Sequence, residues 1–513
     1  MIISELQSKL ATWSTENPTR RFDRLLRLMA DPIWLAEAAR ITLMARGAHT
    51  PGIDGVRKRQ MEAHLAEELA DIRQQLLTGT YQPHPARRVY IPKKNGKRRP
   101  LGIPTLRDRI VQRAMLMVME PIWESDFHPA SYGFRPGRSV HHAIRAVKLQ
   151  LLGDDAQGST AGRWVIEGDL ASYFDTVHHR LLMKAVRRRV HDRRFLDLLW
   201  RFIKAGHVEH QLFHAAHEGV PQGGVISPIL SNIMLHEFDQ WMHAQYLHPK
   251  VRKDRWAWND GVRRQRPIAV REHREWQPAI SYCRYADDFV VVVKGTKAHA
   301  EAVREACRTF LEDTLHLTLN MEKTHITHVN DGFVFLGHRI IRKRGPAGRL
   351  RPVSNIPWEK YRSLAAKMVH QLSTDYSQNP LDMVEHLNQQ LQGWATFYQY
   401  TDYTATIFGR LDRLVFWKFG YWLARKYHQS FRQLLPRYVR APKPGQAKTW
   451  VLQGRNGEGR YVTIALKRLV ATPKGRFLWR TPVGNPYLPT LVDRPVRRHE
   501  SRYADVAFAL SDT

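Results

Sequence analysis

Two adjacent aspartates, Asp287 and Asp288, stand inside an otherwise apolar run, AISYCRYADDFVVVVKG, from Ala279 to Gly295. The β-branched and aromatic residues on either side read as two strands folded about an acidic turn. An aspartate pair in a turn ordinarily caps backbone N–H groups. Here the apolar flanks put the turn at the end of a buried sheet, where neighbouring carboxylates repel unless a cation neutralises them. A second apolar strand, in WVIEGDLASYFDTV, ends at Asp169. If the two strands lie side by side, Asp169, Asp287 and Asp288 come within reach of one another. Hard carboxylate oxygens favour magnesium over zinc, and two such ions ~4 Å apart suit in-line phosphoryl chemistry. Carboxylates alone do not separate nucleic-acid synthesis from hydrolysis.

The charge balance names the partner class. Lys and Arg number 80 against 48 Asp and Glu, a formal net charge of +32, while charged residues are only 25% of the chain. Bases have replaced acids throughout rather than in one tail, which fits a long polyanion such as nucleic acid. With 43% hydrophobic residues and 15 Trp the chain can bury several cores. At roughly 150 residues per domain, three or four domains are expected. Cys283 and Cys307 are the two cysteines, so neither a disulfide framework nor a CxxC zinc site is available. A reducing compartment such as the cytoplasm follows. No apolar stretch reaches the ~18 residues of a membrane span, so no membrane partner is expected.

Helical periodicity runs from Arg21 to Gln75, broken by the turn TPGIDG at Thr50–Gly55. YQPHPARRVYIPKKNGKRRPLGIP (Tyr81–Pro104) reads as a basic hairpin about an Asn95-Gly96 two-residue turn. GVPQGGVISPILSNIMLHEFDQWM (Gly219–Met242) reads as a Gly/Pro-rich loop feeding an apolar helix, and GFVFLGHRII as a short strand pair. RKRGPAGRLRPVSNIP reads as a linker before a helical C-terminal region. There Leu411–Arg440 carries seven Lys/Arg against one Asp, with aromatics between them. The paired histidines 141–142 and 178–179 lack the i, i+4 spacing of a helix metal site, and most of the 26 histidines read as surface or RNA-facing.

Residues around the carboxylates favour synthesis. Phe174 would set a ring against the sugar of an incoming nucleotide, with core packing as its alternative. Gln222 sits in a loop whose glycines allow close approach to a base or ribose. Lys93 and Arg99 would hold a triphosphate, which a nuclease does not need.

Together these strings resemble the reverse transcriptases encoded by group II introns, the maturases. YADD and GDLASYFDTV resemble the family's metal motifs, and GVPQGGVISPILSNIMLHEFD its nucleotide-pocket loop. IPKKNGKRRPLGIPTLRDRIVQ and SYGFRPGRS resemble its fingers motifs, TPGIDG its N-terminal signature, and LNQQLQGWATFYQY its thumb. The resemblance implies an α+β right-hand polymerase. Its expected parts are a helical extension (1–75), fingers (76–160), palm (161–345), helical thumb or maturase domain (346–440) and a small basic region (441–513) that would contact DNA.

The implied activity is RNA-directed DNA polymerisation with binding of intron RNA to assist splicing and mobility. The implied partners are group II intron RNA, an RNA template with DNA primer, dNTPs and target DNA. Asp169, Asp287 and Asp288 would hold two Mg2+, with Mn2+ as substitute, aided by the Leu170 carbonyl. Phe174 would be the sugar gate, Gln222 a nucleotide contact, and Lys93 and Arg99 triphosphate contacts. Tyr285, Arg135 and Lys418 would contact primer or template. A cysteine-held HNH endonuclease domain is not expected, since no cysteine follows Cys307. Two alternatives remain open: a relative domesticated for DNA repair, phage defence or CRISPR spacer acquisition, and an RNA-binding splicing cofactor without polymerase activity.

Overall fold

The computed structural model describes residues 3–92, 96, 98–152, 162–209, 212–216, 218–247, 250–259, 262–270, 279–345, 348, 350–374, 376–472, 477 and 484–489, with the backbone alone over 250–270. The chain divides into two compact units. One comprises residues 1–143, 160–326 and 480–513, the other 144–159 and 327–479.

The first unit begins with helices α1 (Ile3–Glu16), α2 (Leu25–Met29), α3 (Pro32–Met44), α4 (Lys58–Ala63) and α5 (Leu65–Thr78). Asp31 separates α2 from α3 by capping Ile33 and Trp34 N–H ahead of Pro32 at the first helical position. A hairpin follows, β1 (Ala86–Pro92) and β2 (Arg98–Ile103), then α6 (Leu106–Trp123); the next helix, α7 (Val140–Gln150), belongs from residue 144 onward to the second unit. The hairpin was expected, and its register runs from Arg87 opposite Ile103 to Pro92 opposite Arg98; the expected Asn95-Gly96 turn falls largely on residues outside those described. Lys93, Lys94, Asn95 and Lys97 lie outside the described residues.

Next come β3 (Gly162–Asp169), α8 (Tyr173–Thr176), α9 (His179–Arg187), α10 (Arg193–Lys204), β4 (His207–Glu209), β5 (Leu212–His214) and α11 (Ser227–Met242). The hairpin β6 (Lys250–Asn259) and β7 (Val262–Val270) precedes β8 (Ala279–Tyr285), β9 (Asp288–Gly295), α12 (Lys297–Leu315) and β10 (His325–His328). Two four-stranded sheets organise this unit, ordered β2-β1-β4-β5 and β10-β3-β9-β8. In the second, Val290–Val293 of β9 are wholly buried. The run therefore reads as uninterrupted valine rather than alternating, because both faces of the strand are withdrawn from water.

The second unit holds β11 (Phe333–Phe335), β12 (His338–Arg344), β13 (Leu350–Asn355), α13 (Trp358–Thr374), α14 (Pro380–Tyr398), α15 (Thr404–Tyr427), α16 (Phe431–Tyr438), β14 (Val439–Arg440), β15 (Thr449–Arg455) and β16 (Tyr461–Ala465). The stretch expected to be a linker is instead the β12–β13 hairpin, paired from Arg339 with Asn355 to Arg344 with Leu350. Its Pro and Gly mark the hairpin's turn and edge rather than a break between domains. A separate core of α13–α16 aliphatic and aromatic residues closes against Trp450 and Leu452 of β15. Among the described residues no helix is long and apolar enough to cross a membrane. Not every histidine is at the surface: His142, His179 and His338 are buried, and His179 Nε2 meets the Gly219 carbonyl at 2.6 Å.

Candidate active site

Strand register brings the acids together. β3 and β9 are antiparallel, and their last matched pair is Asp169 opposite Asp288. β8 and β9 pair up to Tyr285 opposite Asp288, which leaves Ala286 and Asp287 as the turn. All three carboxylates therefore sit at one end of a sheet whose interior is valine. The backbone beyond Asp169 is tied down by Asn320 N–H to the Asp169 carbonyl (2.8 Å) and Ala171 N–H to the Thr318 carbonyl (2.9 Å). These bonds set Leu170 opposite Leu319 in an isolated bridge.

The electrostatics of the cluster are unfavourable without a cation. Burial, reinforced by the charges of Asp287 and Asp169, pushes the Asp288 carboxyl up to about 7. Burial and the Asp169 charge also raise Asp287, against the weaker pull of Arg99 and Lys323. Lys323 Nζ donates to Asp169 Oδ2 at 2.6 Å, and this bond raises the lysine's own pKa. A lysine and a proton thus do part of what a metal would do. Among the described residues no three ligand-type side chains are drawn into a finished cage. The donor set of three carboxylates with excess negative charge still fits hard divalent cations, once Lys323 gives up its oxygen.

A cavity of about 230 Å³ adjoins this end of the unit, lined by Arg88, Phe174, Asp175, His207, Glu218 and Gln222 among others. Phe174 is 9% exposed. It packs edge-on to Tyr173 at 5.4 Å and also walls the cavity, so the two readings of this ring are compatible. Gln222 Oε1 accepts from Arg99 Nε at 3.1 Å, joining two residues far apart in sequence. The close approach that the loop's glycines permit is to backbone: Gly223 has φ +112°, and a Cβ there would stand 2.4 Å from the Gly102 carbonyl oxygen. The adjacent Gln222 carbonyl accepts from Gly102 N–H at 2.6 Å.

Other expected residues fall differently. Tyr285 is half-buried at the end of β8, its ring 6.5 Å from that of Phe134. Arg135 is not available to nucleic acid. Its side chain is 1% exposed and paired with Glu124 at 2.9 Å, and Nη1 donates to the His128 and Ser131 carbonyls. The family resemblance placed Arg135 on primer or template, but burial and the Glu124 pair make this guanidinium a brace. Lys418 lies in the second unit, exposed on α15. Trp417 and Tyr421 on the same helix are 44% and 58% exposed, whereas Phe419 and Trp422 are buried. The helix therefore divides its aromatics between core and surface.

Sequence reasoning passed over Lys323, Asn320, Arg88 and His207. Arg88 stands 3.2 Å from His207 Nε2 and 3.9 Å from Asp175. The available signal for the first two was LTLNMEKT, a polar string directly after an apolar helix end.

Residues 91–340 match the family described as reverse transcriptase (RNA-dependent DNA polymerase). Residues 362–439 match the group II intron, maturase-specific domain. The chain is 69% identical over 368 residues to Protein YkfC of Escherichia coli K12, covering 72% of this chain and 96% of that protein. It is 33% identical over 369 residues to the group II intron-encoded protein LtrA of Lactococcus lactis, covering 66% of this chain and 60% of that protein. A putative COX1/OXI3 intron 2 protein of Saccharomyces cerevisiae is 29% identical over 371 residues, covering 66% of this chain and 40% of that protein. Paired carboxylates at a sheet end, an adjoining cavity and both matched regions on one chain agree: the chain belongs to the group II intron-encoded reverse transcriptases that carry a maturase domain.

Proposed function

We propose that this reverse transcriptase copies RNA into DNA at the Asp169–Asp287–Asp288 end of the β3–β9–β8 sheet, and that its second unit binds the parent intron RNA to assist splicing and mobility. The register that sets Asp169 opposite Asp288 carries this reading. In it the three aspartates, with the Leu170 carbonyl, hold two Mg2+, and Mn2+ substitutes. Bound there, the ions supply Lewis-acid activation of the primer hydroxyl and neutralise charge at the phosphate.

This chain's own residues do the rest. Lys323 releases Asp169 and leaves its charge near the reacting phosphates. Arg99 and Lys93 hold the triphosphate of a dNTP, with Arg99 aimed by its bond to Gln222. Phe174 closes the sugar side of the cavity, so that a 2′-hydroxyl has no room. Tyr285 lies beside the primer end, and Lys418 contacts template–primer duplex or intron RNA. Arg135 has no part in binding. The protein works in the cytoplasm, on intron RNA and target DNA.

Purified protein given a DNA primer on an RNA template, dNTPs and Mg2+ should extend the primer. Phe174→Ala should extend it with less discrimination against ribonucleotides. Splicing assistance without extension would leave the splicing-cofactor reading standing, and unchanged sugar selectivity would remove Phe174 from the gate.

A further inference from the structure

Immediately before the acidic turn stands Arg284, which is fully buried. It uses all five of its N–H donors. Nε and Nη2 grip Asp239 Oδ1 and Oδ2 at 2.7 and 2.6 Å. Nη1 donates to Asn232 Oδ1 at 3.1 Å and to the Ala286 carbonyl at 3.0 Å. The second proton of Nη2 goes to Ser131 Oγ at 2.9 Å. The partners come from three segments: α11, which supplies Asn232 and Asp239 seven residues apart on one face; the SYGF loop; and the turn itself. Tyr282 Oη adds a bond to Asp239 Oδ1 at 2.8 Å.

The backbone repeats the tie. Arg284 N–H donates to the Ala130 carbonyl (2.9 Å), and Tyr132 N–H donates to the Arg284 carbonyl (2.8 Å). Asn232 Nδ2 reaches the Gly133 carbonyl at 2.8 Å. Gly133 lies so close to the turn that a Cβ on it would stand 2.4 Å from Ala286 N. Ala286 itself has φ +57°, a left-handed conformation that L residues adopt at a cost. A buried ion pair is a poor source of net stability, because desolvation consumes most of its attraction. Its geometric effect is different: a planar five-donor fork permits one arrangement of its acceptors.

We infer that the Arg284–Asp239 pair, with Asn232, Ser131 and Gly133, is a clamp that holds Ala286 in its left-handed conformation and so aims the Asp287 and Asp288 carboxylates. Arg284 is a positioning residue: it acts through the turn and touches no substrate. The inference rests on the assignment of Asp287 and Asp288 as metal-holding residues.

The test replaces the clamp by apolar groups of similar volume, Arg284→Met with Asp239→Leu and Tyr282→Phe. Such exchanges of a buried pair are often neutral or stabilising, so the full-length variant should fold, with a circular dichroism spectrum and thermal midpoint close to wild type. It should bind an RNA–DNA duplex normally. Its kcat should drop about 100-fold, the cost of a small misplacement, with the KM for dNTP little changed. Its dissociation constant for Mn2+, read by electron paramagnetic resonance, should rise about tenfold. Should the triple variant not fold, Arg284→Lys keeps the pair with Asp239 but offers three donors for five bonds, and the same two losses are expected of it.

A folded variant of either kind that extends primers and binds Mn2+ as wild type does would overturn the clamp. Asp287→Asn with Asp288→Asn separates the two ideas. If it extends normally, the assignment of the carboxylates fails; if it is inactive while the clamp variant is active, only the clamp fails.

Discussion

Two groups of acids in the first unit lie close together in the fold and differ in every electrostatic respect. Asp239 is completely buried. Burial alone would raise its carboxyl, but the Arg284 charge and bonds win and hold it below the usual carboxylate range. Asp287 and Asp288 are only partly buried, yet both are raised, the latter to about 7. The deeper acid is satisfied and the shallower ones are not. A satisfied buried charge is architecture, because its partners fix one geometry. A carboxylate pair left in mutual repulsion at the end of a sheet is a site awaiting a cation.

The largest effect that tests this contrast is on activity. Asp287→Asn with Asp288→Asn should reduce primer extension below detection while leaving the metal-free thermal midpoint unchanged or higher, since a repulsion has been removed. Calorimetry of the same variant decides the matter, because a loss of stability would make these acids structural. Asp239→Asn should differ in stability. It leaves Arg284 buried without its counter-charge and should cost ~3–5 kcal/mol of unfolding free energy. Arg135→Ala, which strands Glu124 in the same way, should cost a similar amount; denaturant titration measures both.

A smaller effect concerns pH. Asp288 in the metal-free fold holds its proton up to about 7, whereas in the unfolded chain it releases it near the ordinary aspartate value of 3.8. Between those values the native state binds more protons, so the stability that depends on Asp288 falls as pH rises through that window. The midpoint of wild type minus that of Asp288→Asn should therefore fall between pH 4 and 7 and level off above, and Mg2+ should remove the slope. A flat difference would mean that Asp288 is not lifted. The smallest effect is expected in the second unit, where charge is solvated. Lys418→Ala should leave the midpoint alone and lower the salt dependence of RNA binding by about one counterion.

Much of this was legible in the chain. Valine-rich strands on both sides of an Asp pair announced the β8–β9 hairpin, and a second apolar strand ending at Asp169 announced its neighbour, because apolar runs with period two or none have few other ways to be buried. Local rules were less informative where two meanings share one composition. Pro, Gly and Arg at 342–357 signalled a break, yet β12 and β13 pair there, because a hairpin's turn and edge draw on the same residues as a linker.

By itself, then, the sequence determined that strands β3, β8 and β9 exist, that three carboxylates stand at their ends, and that a surplus of bases accompanies those acids. Only the tertiary structure decided which bases are free to act. Arg135 and Arg284 read in the chain like any other arginine beside a motif, but folding buries both and commits them to Glu124 and Asp239. Lys323, unremarkable in LTLNMEKT, arrives at Asp169. A guanidinium's role follows from its desolvation and its acceptors. Those are set by which segments fold around it, whether near in sequence, as Glu124 is to Arg135, or far, as Ser131 is from Arg284, and no residue pattern around the arginine itself encodes them.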